Sequence, residues 1–146
     1  MIVIDIKTKY TYAAFIKKMF GVKSTVLPNF IRKETSTIQR RLKVILRTGS
    51  RTGTHYKGLP NRSSDIGEAP RSQSGTLANS IQKAVRVNSA GTTGSVFTDL
   101  LYAKYLEQGT RKMQPRPLFK PVAEERLPII KENIKKDLKR HFENVH

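Results

Sequence analysis

The chain has 146 residues, with 28 Lys and Arg against 11 Asp and Glu, a formal net charge of +17, no cysteine and no tryptophan. A chain of this length leaves no room for two independent cores. The lack of cysteine excludes a disulfide framework and a thiolate metal site, and no apolar run approaches the roughly 20 residues that span a bilayer. The positive excess attracts polyanions without specifying a fold; duplex DNA, an acidic protein partner and a solvated surface all fit it. The first residues lack a positive segment followed by an apolar one, so no signal peptide is expected.

Ile2, Val3, Ile4 and Ile6 predict a first strand. Residues 12–20 carry Phe15, Ile16 and Met19 at helical spacing, with Gly21 placed as a C-cap. A longer amphipathic helix is expected from about residue 28 to residue 47, with Ile31, Ile38, Leu42, Ile45 and Leu46 on its apolar face. Its opposite face carries Arg32, Lys33, Arg40, Arg41 and Lys43. This is either a solvated basic face or, through Arg40, Arg41, Lys43 and Arg47, a non-specific contact with duplex DNA.

Residues 48–75 change character to glycine, serine, proline and scattered arginine. Structureless loops of this length are uncommon in compact domains and are usually functional or disordered. We expect a long flexible loop or arm that neighbours order on assembly, with Arg51, His55, Tyr56, Lys57, Arg62 and Arg71 as its docking residues.

A short helix is expected from Thr76 through Lys83, with Leu77 and Ile81 facing inward. Residues 84–88 and 94–98 predict a β-hairpin, with Val85 and Val87 on one face and Val96 beside them. Residues 100–108 predict a helix ended by Gly109, with Leu101, Tyr105 and Leu106 on its apolar face. Pro115 and Pro117 make residues 111–116 extended. Pro121 suits the first turn of a final helix, whose buried stripe is Leu127, Ile130, Ile134, Leu138 and Phe142. Pro128 should kink or break that helix. The expected fold is α+β: a single domain over residues 1–146, with a small, mainly antiparallel sheet, helices from both ends of the chain packed on one face, and the long loop projecting.

Signals for catalysis are sparse. His55, His141 and His146 have no spacing with a carboxylate or second histidine that a metal site needs. No Gly-x-Ser-x-Gly elbow occurs, and no Gly-Lys-Ser/Thr follows Gly49, Gly53 and Gly58 as a phosphate loop requires. No enzyme activity, metal or cofactor is expected.

The distinctive stretch is L-Y-A-K-Y-L-E-Q-G-T-R-K-M-Q-P-R-P-L-F-K-P, residues 101–121. Glycine at 109 suits a chain reversal that needs positive φ. Glu107 can accept hydrogen bonds from nearby backbone amides or pair with Arg111 or Arg116; it can equally sit at a subunit boundary against a neighbour's basic residue. Arg116-Pro-Leu-Phe119 joins a cation to a stiff backbone and two large apolar groups, which lowers the ordering cost of an interface; Phe119 can as well enter the core.

This stretch resembles a signature of the neck proteins of long-tailed bacteriophages, the tail-completion or head–tail joining family. There a Y-A-x-Y-(V/L)-E-x-G-T turn precedes a basic spacer, an R-P-(F/L) element and a helix. S-S-D-I-G-E-A-P-R-S-Q-S-G-T-L-A-N-S-I, residues 63–81, is similar to the family's Gly-Glu-x-Pro, Thr-Gly or Ser-Gly and Leu-x-x-Ser-Ile run. The two stretches cover roughly residues 48–125. The resemblance implies a structural virion protein that forms a homo-oligomeric ring, a hexamer by analogy with its neighbours, in the neck. Its partners would be the head-side connector or stopper and the tail terminator or tail tube, with assembly in the host cytoplasm and no membrane. Subunit or partner contacts would fall on Tyr102, Tyr105, Glu107, Gly109, Thr110, Arg111, Arg116 and Phe119. Terminator, stopper and a stand-alone basic DNA-binding protein are the alternatives.

Overall fold

The β-branched residues near the start of the chain and those flanking residue 90 find each other. A computed structural model describes residues 2–7, 26–49, 51–59, 61–71, 73–88 and 91–143. The chain order is β1 (Ile2–Lys7), α1 (Val26–Thr48), α2 (Thr76–Ser80), β2 (Gln82–Asn88), β3 (Gly91–Thr98), α3 (Leu101–Gln108) and α4 (Phe119–Glu143). The strands form one antiparallel sheet in the order β1-β3-β2, with Ile4 and Lys83 both in register with Val96. This is the expected small α+β fold. The helix expected at residues 12–20 lies outside the described residues.

β3 alternates strictly, with Thr92, Gly94, Val96 and Thr98 buried and their neighbours half-exposed. The buried residues are small because α1 lies directly across them. A Cβ at Gly94 would collide with Thr35 Oγ1 and Ile31 Cγ2, so glycine sets how closely helix and sheet approach. Thr35 in turn satisfies its buried hydroxyl by donating to the Ile31 carbonyl at 2.6 Å. Val85 is half-buried, but Val87, two pairs further along, is exposed; it does not share Val85's shelter as the hairpin pattern suggested.

α1 buries Leu27, Phe30, Ile31, Ile38, Leu42 and Leu46, the three-and-four spacing of an amphipathic helix. The main core joins all of these but Leu27 to Leu77, Ala78 and Ile81 of the α2 region, Val96, Ala103, Leu118, and Phe119, Val122 and Ile130 of α4. α2 is shorter than expected: Ile81 is already extended, and its carbonyl accepts a 2.8 Å hydrogen bond from Gln39 Nε2 of α1, so Gln82 and Lys83 belong to β2.

α4 runs antiparallel to α1. Leu27 packs with Leu138, Glu34 bonds Arg126 and Asn133, and Arg41 pairs with Glu125, so rising numbers on one helix meet falling numbers on the other. The Glu34–Arg126 pair, 2.6 Å apart with side chains only 4% and 17% exposed, lies between the helices. Sequence reading assigned Glu34 no role. α4 also passes through Pro128 without a break. Leu127, Pro128 and Ile129 are exposed there, so the carbonyl that loses its partner faces water, and Leu127 leaves the predicted buried stripe. The Phe142 side chain lies outside the described residues.

Three substitutions test these contacts by chemical denaturation. Gly94→Ala should cost about 1–3 kcal/mol by overpacking against Thr35 and Ile31. Arg126→Met should cost about 3–5 kcal/mol because it strands a buried carboxylate, whereas Glu34→Met with Arg126→Met should recover most of that loss.

Candidate functional site

The stretch at residues 101–121 folds into a helix, a tight turn and the start of a second helix. α3 ends where Gly109, at φ 75°, donates its N–H to the Tyr105 carbonyl at 2.8 Å. A Cβ there would meet the Met113 carbonyl and the Pro115 ring as well as strain the backbone. Thr110 and Met113 then exchange backbone hydrogen bonds around Arg111 and Lys112, so the segment expected to be extended begins with a reversal. The Arg116 N–H returns to the Leu106 carbonyl at 2.7 Å.

Glu107 closes this unit. Its carboxylate accepts from the backbone N–H groups of Leu118 at 2.7 Å, Phe119 at 3.0 Å and Lys120 at 2.8 Å. These belong to the first turn of α4, where amides have no partner within the helix and the helix dipole favours negative charge. Glu107 therefore caps α4 from a different helix. It forms no ion pair with Arg111 or Arg116 among the described residues. Phe119 is buried in the core. Glu107, Gly109 and Phe119, expected at a subunit boundary, thus serve the chain's own fold.

The inward side of α3 also differs from expectation. Ala103 is buried and Leu106 half-buried, while Leu101, Tyr102 and Tyr105 are 63%, 43% and 44% exposed. The eight-residue helix turns a small residue to the body and its aromatic ridge outward. Partial burial still pushes the Tyr102 phenol above its ordinary pKa. Thr110 and Arg111 are exposed beside this ridge.

The long loop lies against the same side of the molecule. Gly53 and Thr54 pair with Ser63 through backbone hydrogen bonds of 3.0 Å. Glu68 accepts from Thr52 Oγ1 at 2.6 Å and from the Asp65 N–H at 2.8 Å. Gln73 Nε2 reaches the Asn61 and Arg62 carbonyls. Arg71 donates to the Gly49 carbonyl at 3.1 Å, satisfying an acceptor just past the α1 C-terminus. The loop is pinned along its length to itself and to α1. Of its expected docking residues, Arg51 and Arg71 are half-buried, and His55, Tyr56, Lys57 and Arg62 are exposed. Burial, and then the neighbouring Arg71 charge, hold the Arg51 guanidinium below its ordinary pKa.

Where loop and α3 meet, Tyr56, Leu59, Tyr102, Leu106, Arg71 and Arg116 line a groove of about 260 Å³. Arg116 Nη1 lies 3.5 Å from Ser64 Oγ at its edge. The groove joins residues from both stretches that carry the sequence resemblance. No family model, curated protein or solved structure matches this chain.

A second surface lies on α1. Arg40, Lys43 and Arg47 share a groove of about 360 Å³ with Lys83 of β2, whose Nζ is 2.7 Å from Ser36 Oγ. Arg41, grouped with them in sequence, instead faces α4 and pairs with Glu125 at 3.4 Å. Lys83 was not singled out, because the hairpin register that brings it beside α1 is not a local property of its neighbours. Among the described residues no cluster of three or more His, Asp or Glu side chains could hold a metal ion.

Two expectations follow. Glu107→Ala should destabilise the monomer by on the order of 2 kcal/mol, from the lost cap and the amides left without an acceptor, measured by urea unfolding. The Glu68 carboxyl is held below the usual carboxylate range, chiefly by the Thr52 hydroxyl and then by the Asp65 N–H and the more distant Arg116 charge, against some burial. A lowered folded pKa means its contribution is present above the ordinary carboxylate value and lost as pH falls through the lowered one. The stability gap between wild type and Glu68→Gln should therefore be present at neutral pH and close in acid.

Proposed function

We propose that this chain is a structural virion protein of a long-tailed bacteriophage, a tail-completion or head–tail joining component that forms a ring in the neck between the head connector and the tail tube. One observation carries the reading. The two stretches that resemble the neck family, separated in sequence by the β2–β3 hairpin, line one groove, with an outward aromatic ridge on α3 and Tyr56 and Leu59 on the loop beside it. Contiguous exposed apolar surface edged by polar groups is characteristic of protein contacts, and tyrosine anchors near arginine are the residues that dominate such contacts.

The arrangement suits assembly because the exposed residues stand on a braced support. Glu107, Gly109 and Pro115 fix α3 against α4, and the loop is hydrogen-bonded along its length, so the surface would dock with little ordering cost. A closed ring needs two different patches per subunit; the α3–loop face supplies one of them.

Tyr102→Ser with Tyr105→Ser should leave the melting temperature within a few degrees of wild type, because both rings are exposed. Each truncation should remove on the order of 2 kcal/mol per subunit contact. Light scattering of the purified protein should then show a ring in wild type and smaller species in the variant. Electron microscopy of lysates from the parent phage with this gene interrupted should show DNA-filled heads and full-length tails unjoined, and the double variant should fail to rescue them. Intact infectious particles without the gene would refute the assembly reading.

A further inference from the structure

We infer that the groove between α1 and β2 binds the phosphate backbone of duplex DNA without reading its sequence, through Arg40, Lys43, Arg47 and Lys83. This inference does not depend on the neck reading, because it rests on a different face and on charge placement alone.

The first observation is how the acids are distributed. The chain has 11 Asp and Glu residues. α1 contains one, Glu34, which is buried against Arg126, and β2 contains none. α4 carries Glu124, Glu125, Glu132, Asp137 and Glu143. The flank of α1 that faces α4 is thereby neutralised, as the Arg41–Glu125 pair shows. The flank that faces β2 has no carboxylate within ion-pair distance among the described residues. The groove on this flank therefore carries four cations with no carboxylate paired to them among the described residues.

The second observation is spacing. Arg40, Lys43 and Arg47 recur at intervals of three and four along α1, so they line one side of the helix. At about 1.5 Å per residue they span roughly 10 Å. One strand of B-form DNA presents a phosphate about every 3.4 Å of axis, so such a span faces about three phosphates. Lys83 adds a fourth cation from the strand, and its bond to the Ser36 hydroxyl holds its stem across the groove. Two further features favour a polyanion over a small ligand: the groove is open, and Arg40, Arg47 and Lys83 are exposed with Lys43 half-buried beside them. No aromatic side chain lines it, so base stacking of single strands has no platform there.

The test is fluorescence anisotropy of a labelled duplex of random sequence with the purified full-length protein, titrated at several salt concentrations. Wild type should bind with log K falling linearly in log salt. The groove variant, Arg40→Gln, Lys43→Gln, Arg47→Gln and Lys83→Gln together, should lose about tenfold or more in affinity near 0.1 M salt, with the slope reduced by about 0.9 for each phosphate contact removed. A control of equal net charge carries Lys104→Gln, Lys112→Gln, Lys131→Gln and Lys135→Gln, all at exposed positions off the groove. It should keep most of the affinity and slope. Arg47→Gln alone should reduce the slope by about one contact and guards against loss of fold in the quadruple variant. Equal losses in groove variant and control would overturn the proposal in favour of diffuse attraction. So would absence of duplex binding by wild type at low salt. Binding of a polyglutamate peptide that depends on the groove, with duplex binding unaffected by the groove variant, would overturn it in favour of an acidic protein partner.

Discussion

The carboxylate of Glu107 on the first-turn amides of α4 is the contact on which the rest of the architecture depends. A helix begins with N–H groups that nothing inside the helix can satisfy. Here two of them, on Leu118 and Phe119, belong to residues that must enter the core, where water cannot stand in. An acceptor delivered from another helix resolves that conflict, and its negative charge suits the helix dipole. The delivery is possible because Gly109 reverses the chain and Pro115 packs over it, bringing α3 and the start of α4 side by side. Once Leu118, Phe119 and Val122 are seated, α4 is directed back along α1, and Arg126 arrives opposite Glu34. The cap, the turn and the buried ion pair form one sequence of constraints.

Charge follows from this placement. A chain with a net charge of +17 resists compaction through its own repulsion, and its few acids are used where they do most structural work. Glu34 neutralises Arg126 between helices, Glu107 caps, Glu68 organises the loop, and the acids of α4 form pairs with Arg41, Lys120, Lys136, Lys139 and Arg140. These exposed pairs contribute little stability individually. Their effect is on the surface: they leave the β2-facing flank of α1 as uncompensated positive charge. A buried ion pair is a poor source of stability compared with apolar packing, so Glu34 is better understood as fixing the register of α1 against α4.

The elements whose hydrophobic period runs over several turns or pairs were legible in sequence. The α1 stripe, the first strand, the hairpin and the Gly109 stop all appear within a few residues of their expected bounds. The misreadings have a common physical origin. α3 is two turns long, too short for periodicity to say which side faces in, and its inward side is decided by Ala103, whose small volume lets the helix lie close. Glu34 is one polar residue in an apolar stripe, and its partner lies 92 positions away. Pro128 was expected to kink or break α4; the helix is unbroken there, because Pro128 falls on the wet side, where water can replace the unmade hydrogen bond. The loop's composition reads as disorder, but Arg71 and Gln73 donate to backbone carbonyls and Glu68 accepts from the Asp65 N–H, bonds that sequence order does not reveal.

The same distinction separates fold from function in the neck-like stretches. Residues in a recurring short pattern are constrained for some reason, and an outward-facing interface is only one such reason. In this chain Glu107, Gly109 and Phe119 are accounted for by capping, turn geometry and core packing. Those roles require them whatever the surface does. Tyr102 and Tyr105 have no comparable role in capping, turn or core: each ring is only partly covered and keeps more than two fifths of its surface open to water. Under the proposed function, the partner contacts of the pattern would fall on its least buried members, which the capped and turned remainder carries beside the loop.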